Sequence, residues 1–336
     1  MVWFKFLLVV AIILFSGSKL ARYGDAIAEK TGLGRVWIGL VLLATITTMP
    51  ELVTGVSSVA LVGLPDLALG TLLGSCIFNL TILALLDTLY RPAPILSQAN
   101  LRHIASASIG ILLIAIAAGS ILAGERFFGL DLGWVGISSV IILIVYLVGA
   151  RQMFRFEQKH QSPSPQAAPS QYEAIPARTV YLKFALAAAA VIGAGIWLSF
   201  IGDEIATTTG WDATFVGSLF LAITTSMPEL VVTIAALRLG AIDMAVADIL
   251  GANMLDMVVI TWVDLFYTQG PILAVVSKAH LTTAMVAVVM SLLVIVGLRF
   301  RQKRKTFVVI SWYGLVLIGL YIFGAYALFT SGIGLG

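Results

Sequence analysis

Ala44-Thr-Ile-Thr-Thr-Met-Pro-Glu-Leu-Val53 and Ala222-Ile-Thr-Thr-Ser-Met-Pro-Glu-Leu-Val231 are near copies 178 positions apart, and each sets a glutamate inside a long apolar run. A carboxylate near the middle of a bilayer costs roughly 2.5 to 3.5 kcal/mol even on lenient insertion scales, so an intramembrane acid marks a site for an ion, a proton or a substrate. Here the same acid occurs twice in the same motif.

The chain around these motifs is 60% hydrophobic and 11% charged, far below the roughly 25% charge of soluble domains. Its mean hydropathy is +1.04. Runs of about 20 apolar residues, enough to cross a hydrocarbon core, fall at Phe4 to Leu20, Val36 to Leu61, Leu67 to Tyr90, Ile104 to Leu122 and Leu132 to Ala150. A second set falls at Val180 to Phe200, Thr214 to Leu237, Met244 to Phe266, Leu281 to Leu298 and Phe307 to Phe329. The expected fold class is therefore an all-α polytopic membrane protein with ten transmembrane helices. Ser16-Gly-Ser18 after an apolar stretch imitates a cleavable signal sequence, but this run has a partner in the second half and so belongs to the fold. The single cysteine, Cys76, excludes an internal disulfide.

The likeness of the halves extends beyond the glutamates. At a shift of 178, Gly24-Asp25 meets Gly202-Asp203, Gly39 meets Gly217 and Pro50-Glu51 meets Pro228-Glu229. After a one-residue deletion the shift is 177, and Gly74 meets Gly251, Asn79 meets Asp256, Asp87 meets Asp264, Pro94 meets Pro271 and His103 meets His280. Five spans per repeat, an odd number, oblige the halves to cross the membrane in opposite directions, which predicts two inverted five-helix repeats. We divide the chain into a first repeat at 1–156, a linker at 157–177 rich in Pro, Ser, Gln and Ala, and a second repeat at 178–336. Placing the linker in the cytoplasm gathers Arg91, Arg102, Arg151, Arg155, Arg238, Arg299, Arg301 and Lys303 inside and leaves Lys5, Arg126 and Lys278 outside. That bias agrees with the positive-inside rule and puts both termini away from the cytoplasm. The net charge of +3 thus records topology and gives no reason to expect nucleic acid.

Thr47 and Glu51 lie four apart and share a helix face. Pro50 removes an amide donor and is expected to free carbonyls near Ile46 and Thr47. Thr225, Ser226 and Glu229, with carbonyls near Ala222, repeat the arrangement. The following spans carry a second motif, Gly70-Thr-Leu-Leu-Gly74-Ser75-Cys-Ile-Phe-Asn79 and Ala247-Asp-Ile-Leu-Gly251-Ala252-Asn-Met-Leu-Asp256. Its small residues permit close helix approach, and Ser75, Asn79 and Asp256 join the set of polar groups. The expected centre is Glu51, Asn79, Glu229 and Asp256. Hard oxygen ligands without His or Cys at helical spacing point to sodium, calcium or magnesium, and calcium's flexible shell of 6 to 8 oxygens fits better than magnesium's octahedron. Asp248 reads equally as a solvated entrance residue or an auxiliary ion site. Asp87, Asp264, His103 and His280 read as interfacial groups at helix ends.

These motifs resemble those of the cation/calcium exchanger superfamily, and most closely its sodium/calcium exchanger branch, over nearly the whole chain. The resemblance implies that Glu51 and Glu229 are shared calcium and sodium ligands with Thr47 and Thr225 as companions. It implies that Thr48, Ser75 and Ser226 bind sodium, that Ala44 and Ala222 offer backbone carbonyls, and that Asn79 and Asp256 complete the central site. Ile46 and Thr224 stand where the family has glycine, Cys76 where it has Asn, and Ala252 where it has a serine. The expectation is a secondary antiporter of a prokaryotic cytoplasmic membrane exchanging calcium for sodium, with a proton-coupled calcium exchanger as the alternative. No prosthetic group and no obligate protein partner is expected. An intramembrane enzyme lacks a His-Glu-x-x-His element or a nucleophile–base pair, and a passive scaffold gives no reason for duplicated kinks.

Overall fold

The computed structural model describes residues 1–31, 44–124, 133–160 and 176–332. The first part of the second predicted span, Arg126 and most of the linker lie outside the described residues. Ten helical segments follow in chain order: α1 (Val2–Thr31), α2 (Ala44–Val62), α3 (Pro65–Leu89), α4 (His103–Ala123) and α5 (Ile137–His160). After the linker come α6 (Ala177–Thr209), α7 in two pieces (Ala213–Thr225 and Met227–Arg238), α8 (Ile242–Phe266), α9 (His280–Phe300) and α10 (Trp312–Gly332). Among the described residues nine helices are long and apolar enough to cross a membrane, and the two pieces of α7, bent by 42°, make a tenth span. The protein is thus an integral, multi-pass membrane protein.

The last span begins later than the apolar run suggests. Phe307 to Ile310 are not helical, and α10 starts at Trp312. The reason is Asp87 at the end of α3. Its Oδ2 accepts the Ser311 N–H at 2.7 Å, while Oδ1 accepts from the Ile95 N–H at 2.9 Å and the Tyr313 hydroxyl at 2.6 Å. The carboxylate, 0% exposed, therefore fixes where the chain turns back into α10. Asp264, its repeat equivalent, is buried too and accepts the Ile272 N–H at 2.7 Å and the Gly136 N–H at 2.8 Å. Both stand at helix ends, as expected, but are covered by protein: they clamp the turns after α3 and α8, where two or more backbone donors supply what water would. The histidines that open α4 and α9 are buried by protein as well: His280 Nε2 lies 3.0 Å from Asp66 Oδ1 and His103 Nε2 lies 2.9 Å from Asp243 Oδ1.

The main core is built by α3 and α8 with α4, α9 and α10 around them, through residues such as Leu72, Leu83, Leu113, Met257, Ile260, Met290 and Leu317. Helices α1 and α6 pack along one another and against the broken helices through separate, smaller apolar clusters. The close approach expected of the second motif is met at Gly70 and Gly74: a methyl on Gly74 would come within 2.5 Å of Ser218 Cα and 2.8 Å of Ala222 Cβ. Gly251, its equivalent, has room, with Ala44 Cβ at 3.7 Å.

Glycines also mark where α1 and α6 cross the broken helices. Gly17 lies against Pro228 and Gly24 against Ile46, whereas the equivalent Gly195 lies against Val53 and Thr54 and Gly202 against Leu221. Exact symmetry would set Gly195 against Pro50 and Gly202 against Thr224. Each contact is displaced by three to four residues, about one helical turn or roughly 5 Å. The directions agree: with α2 and α7 antiparallel, both offsets describe the same shift of the α1–α6 pair along the core.

Candidate ion site

The site is made where α2 and α7 break. Thr48 and Ser226 leave the ideal helix, with φ and ψ of −78° and 1° and of −85° and 10°. Proline follows two residues later in each, where its missing N–H costs no hydrogen bond at a new helix start. Glu51 and Glu229 therefore sit in the first turn of the second pieces, at the end of the helix dipole that favours negative charge. Each is 1% exposed.

The two repeats reach across to each other. The Ser226 hydroxyl donates to Glu51 Oε1 at 3.1 Å, and the hydroxyls of Thr225 and Ser75 also act on that carboxylate. Ser75 Oγ and Thr225 Oγ1 are 3.5 Å apart. The charges of Glu51, Asp256 and Asp248 all act on Glu229. Glu51 Oε2, Glu229 Oε2 and Asn79 Oδ1 are fully buried and have no hydrogen-bond partner. Three orphaned acceptors in one apolar interior call for a positively charged or donor species.

The backbone oxygens at the breaks accept hydrogen bonds from within the protein. Ala44 O accepts from the Thr48 N–H at 3.0 Å and from the hydroxyls of Thr47 and Thr48 at 3.1 and 2.8 Å. Ala222 O accepts from the Ser226 N–H at 3.1 Å and from the Thr225 hydroxyl at 3.3 Å. These carbonyls are engaged by the hydroxyls beside them, and offering them to an ion requires those hydroxyls to rotate. Nor do three acids share one shell: among the described residues no three His, Cys, Asp or Glu side chains gather within reach of one metal ion. Among the acids of the centre, Glu51 is the one that accepts from a hydroxyl, while Asp256 faces the Cys76 thiol.

Sequence reasoning noted Cys76 only as the single cysteine and a departure from the family, and left Asn253 unremarked. They are repeat equivalents and meet at the middle: Asn253 Nδ2 donates to Cys76 O at 3.2 Å, and the Cys76 thiol faces Asn253 O at 3.8 Å and Asp256 Oδ2 at 3.9 Å. The pseudo-twofold relation of the repeats runs through this pair. Its signal was present in the alignment of the halves. Cys76 provides Asp256 with a weak thiol donor, so Asp256 is held at one oxygen.

The family pattern described as sodium/calcium exchanger protein matches residues 1–151 and 179–330. The chain belongs to that family. The two matched stretches leave out residues 152–178. That family is one of membrane transporters, cation antiporters, rather than a family of enzymes. Inner membrane protein YrbG of Escherichia coli (strain K12) is 27% identical over 271 residues, 79% of this chain and 80% of that protein. The structure of native YfkE superposes with a TM-score of 0.67 at 18% identity, covering 96% of this chain and 91% of that one. The sodium-calcium exchanger NCX_Mj, soaked with sodium and strontium, superposes with a TM-score of 0.62 at 22% identity, covering 97% of this chain and 99% of that one. The likeness is in the fold, a helical architecture of two repeats.

Proposed function

We propose that the protein exchanges calcium for sodium across the membrane, with Glu51 and Glu229 as the ligands common to both ions. The observation that carries this reading is the pair of buried glutamates, one from each repeat, each with an orphaned oxygen. Two carboxylates balance one calcium. Neither can stay ionised and unpaired in low dielectric, so calcium leaves as sodium ions take the same oxygens, and this competition couples the two fluxes. Ser226, Thr225, Ser75, Thr47, Thr48, Asn79 and Asp256 supply the remaining oxygens, and Ala44 and Ala222 theirs once the threonine hydroxyls turn away. Exchange of sodium and calcium is what the name of NCX_Mj states of that protein.

The displaced glycine contacts support alternating access. An inverted repeat has two end states in which the halves trade conformations. Trading the contacts would bring Gly195 against Pro50 and Gly202 against Thr224 by moving the α1–α6 pair one turn along the core. The glycines give that pair a smooth face and the small clusters beneath it a shallow hold.

One observation favours proton coupling instead: Ala252 stands where the first repeat has Ser75, so one hydroxyl of the ring is absent. Calcium-loaded vesicles containing the purified protein decide between the two. An inward sodium gradient without a pH gradient should drive calcium out. Efflux that follows only an inward proton gradient replaces sodium with protons, and no efflux under either refutes exchange of calcium.

A further inference from the structure

Asp248 lies two turns before Asp256 on α8, and Asp248, Ala252 and Asp256 follow at intervals of four along one face. The residue is 2% exposed, and both carboxylate oxygens are buried without a hydrogen-bond partner. The solvated entrance reading therefore fails. Among the described residues no lysine, arginine or histidine pairs with it, and its charge acts on Glu229, on the adjoining α7.

Comparison of the repeats sharpens the point. The equivalents of Asp248 and Ala252 are Thr71 and Ser75. Thr71 satisfies itself by donating to Leu67 O at 2.8 Å. An ionised carboxylate has no proton to give and cannot use that solution. The second repeat thus exchanges two hydroxyls for one carboxylate and one methyl, adding a negative charge exactly one turn from the missing hydroxyl. Charge balance gives the same answer. Calcium neutralises two of the four acids Glu51, Glu229, Asp256 and Asp248, and among the described residues no basic side chain forms an ion pair with the others.

We propose that Asp248 is a further binding site for a monovalent cation, sodium or a proton, set between the centre and the Arg238 end of the helix bundle. Its role in coupling rests on the exchanger reading; its occupancy does not. The site lets one ion be carried by a carboxylate where the first repeat relies on hydroxyls.

The test uses the purified full-length chain, wild type against Asp248→Asn and Asp248→Thr, the latter installing the residue of the first repeat. Two quantities are measured in the absence of calcium: radioactive sodium bound per chain at saturation, and the infrared band of a protonated carboxylic acid in sodium-free buffer. A sodium site predicts one sodium fewer in both variants. A proton site predicts an unchanged sodium count and loss of a carboxylic-acid band in both variants. Variants that match the wild type in both readouts overturn the proposal. If one variant fails to fold, the other carries the comparison. Calcium flux by the wild type, measured alongside, judges the exchanger reading separately, because neither readout depends on flux.

Discussion

Replacing Gly74 by alanine puts a methyl group into a crossing where backbone meets backbone. The added carbon would lie 2.5 Å from Ser218 Cα and 2.8 Å from Ala222 Cβ. The nearest of these is backbone, which no rotamer change relieves, so α3 and the first piece of α7 must separate. Overpacking of this kind costs about 1–3 kcal/mol. The same change at Gly251 meets only Ala44 Cβ at 3.7 Å, an ordinary contact. There the loss of glycine's freedom in the unfolded chain contributes about 0.4–1 kcal/mol in favour of folding. Two equivalent positions therefore carry opposite expectations. Melting in detergent, followed by a thiol-reactive dye that reports exposure of the buried Cys76, should give a lower midpoint for Gly74→Ala and an equal or higher one for Gly251→Ala. A common fall or a common rise would refute the asymmetric packing of the repeats.

Removing the clamp with Asp87→Ala leaves Ile95 N–H, Ser311 N–H and the Tyr313 hydroxyl without their acceptor; at about 1–3 kcal/mol for each unpaired donor, a large loss of thermal stability is expected in the same melting assay. By contrast, Lys5 and Glu204 meet at 2.7 Å with side chains 40% and 37% exposed, so Glu204→Gln should shift stability by less than about 1 kcal/mol. A methyl on Gly195 would lie 3.2 Å from Val53 Cβ, near enough for a disulfide. In a Cys76→Ser background, Gly195→Cys with Val53→Cys should cross-link on oxidation, arrest transport and recover it on reduction; transport that persists in the fully cross-linked protein would contradict sliding of α1 and α6.

Much of this architecture was legible in the sequence because its signals are local and duplicated. Pro50-Glu51 and Pro228-Glu229 name the breaks, and Gly70 and Gly74 announce a close crossing by their size. The start of α10 was not legible, since Ser311 is capped by an aspartate 224 residues earlier in the chain. The burial of Asp87 and Asp264 was hidden for the same reason: a carboxylate near a helix end looks open to water until the backbone donors that cover it are known. Asp248 was undecided because helical periodicity gives its face and not its depth. The engagement of the Ala44 and Ala222 carbonyls depends on hydroxyl rotamers, which no spacing encodes.

The central claim is that one glutamate from each repeat holds the transported calcium. Calcium binding to the purified protein, measured by calorimetry for the wild type, Glu51→Gln and Glu229→Gln at matched folding, tests it most directly. Each variant removes one of two charges that balance the ion, and the account predicts that either one abolishes measurable calcium binding while the protein still inserts and melts cooperatively. Wild-type affinity in either variant would contradict the account.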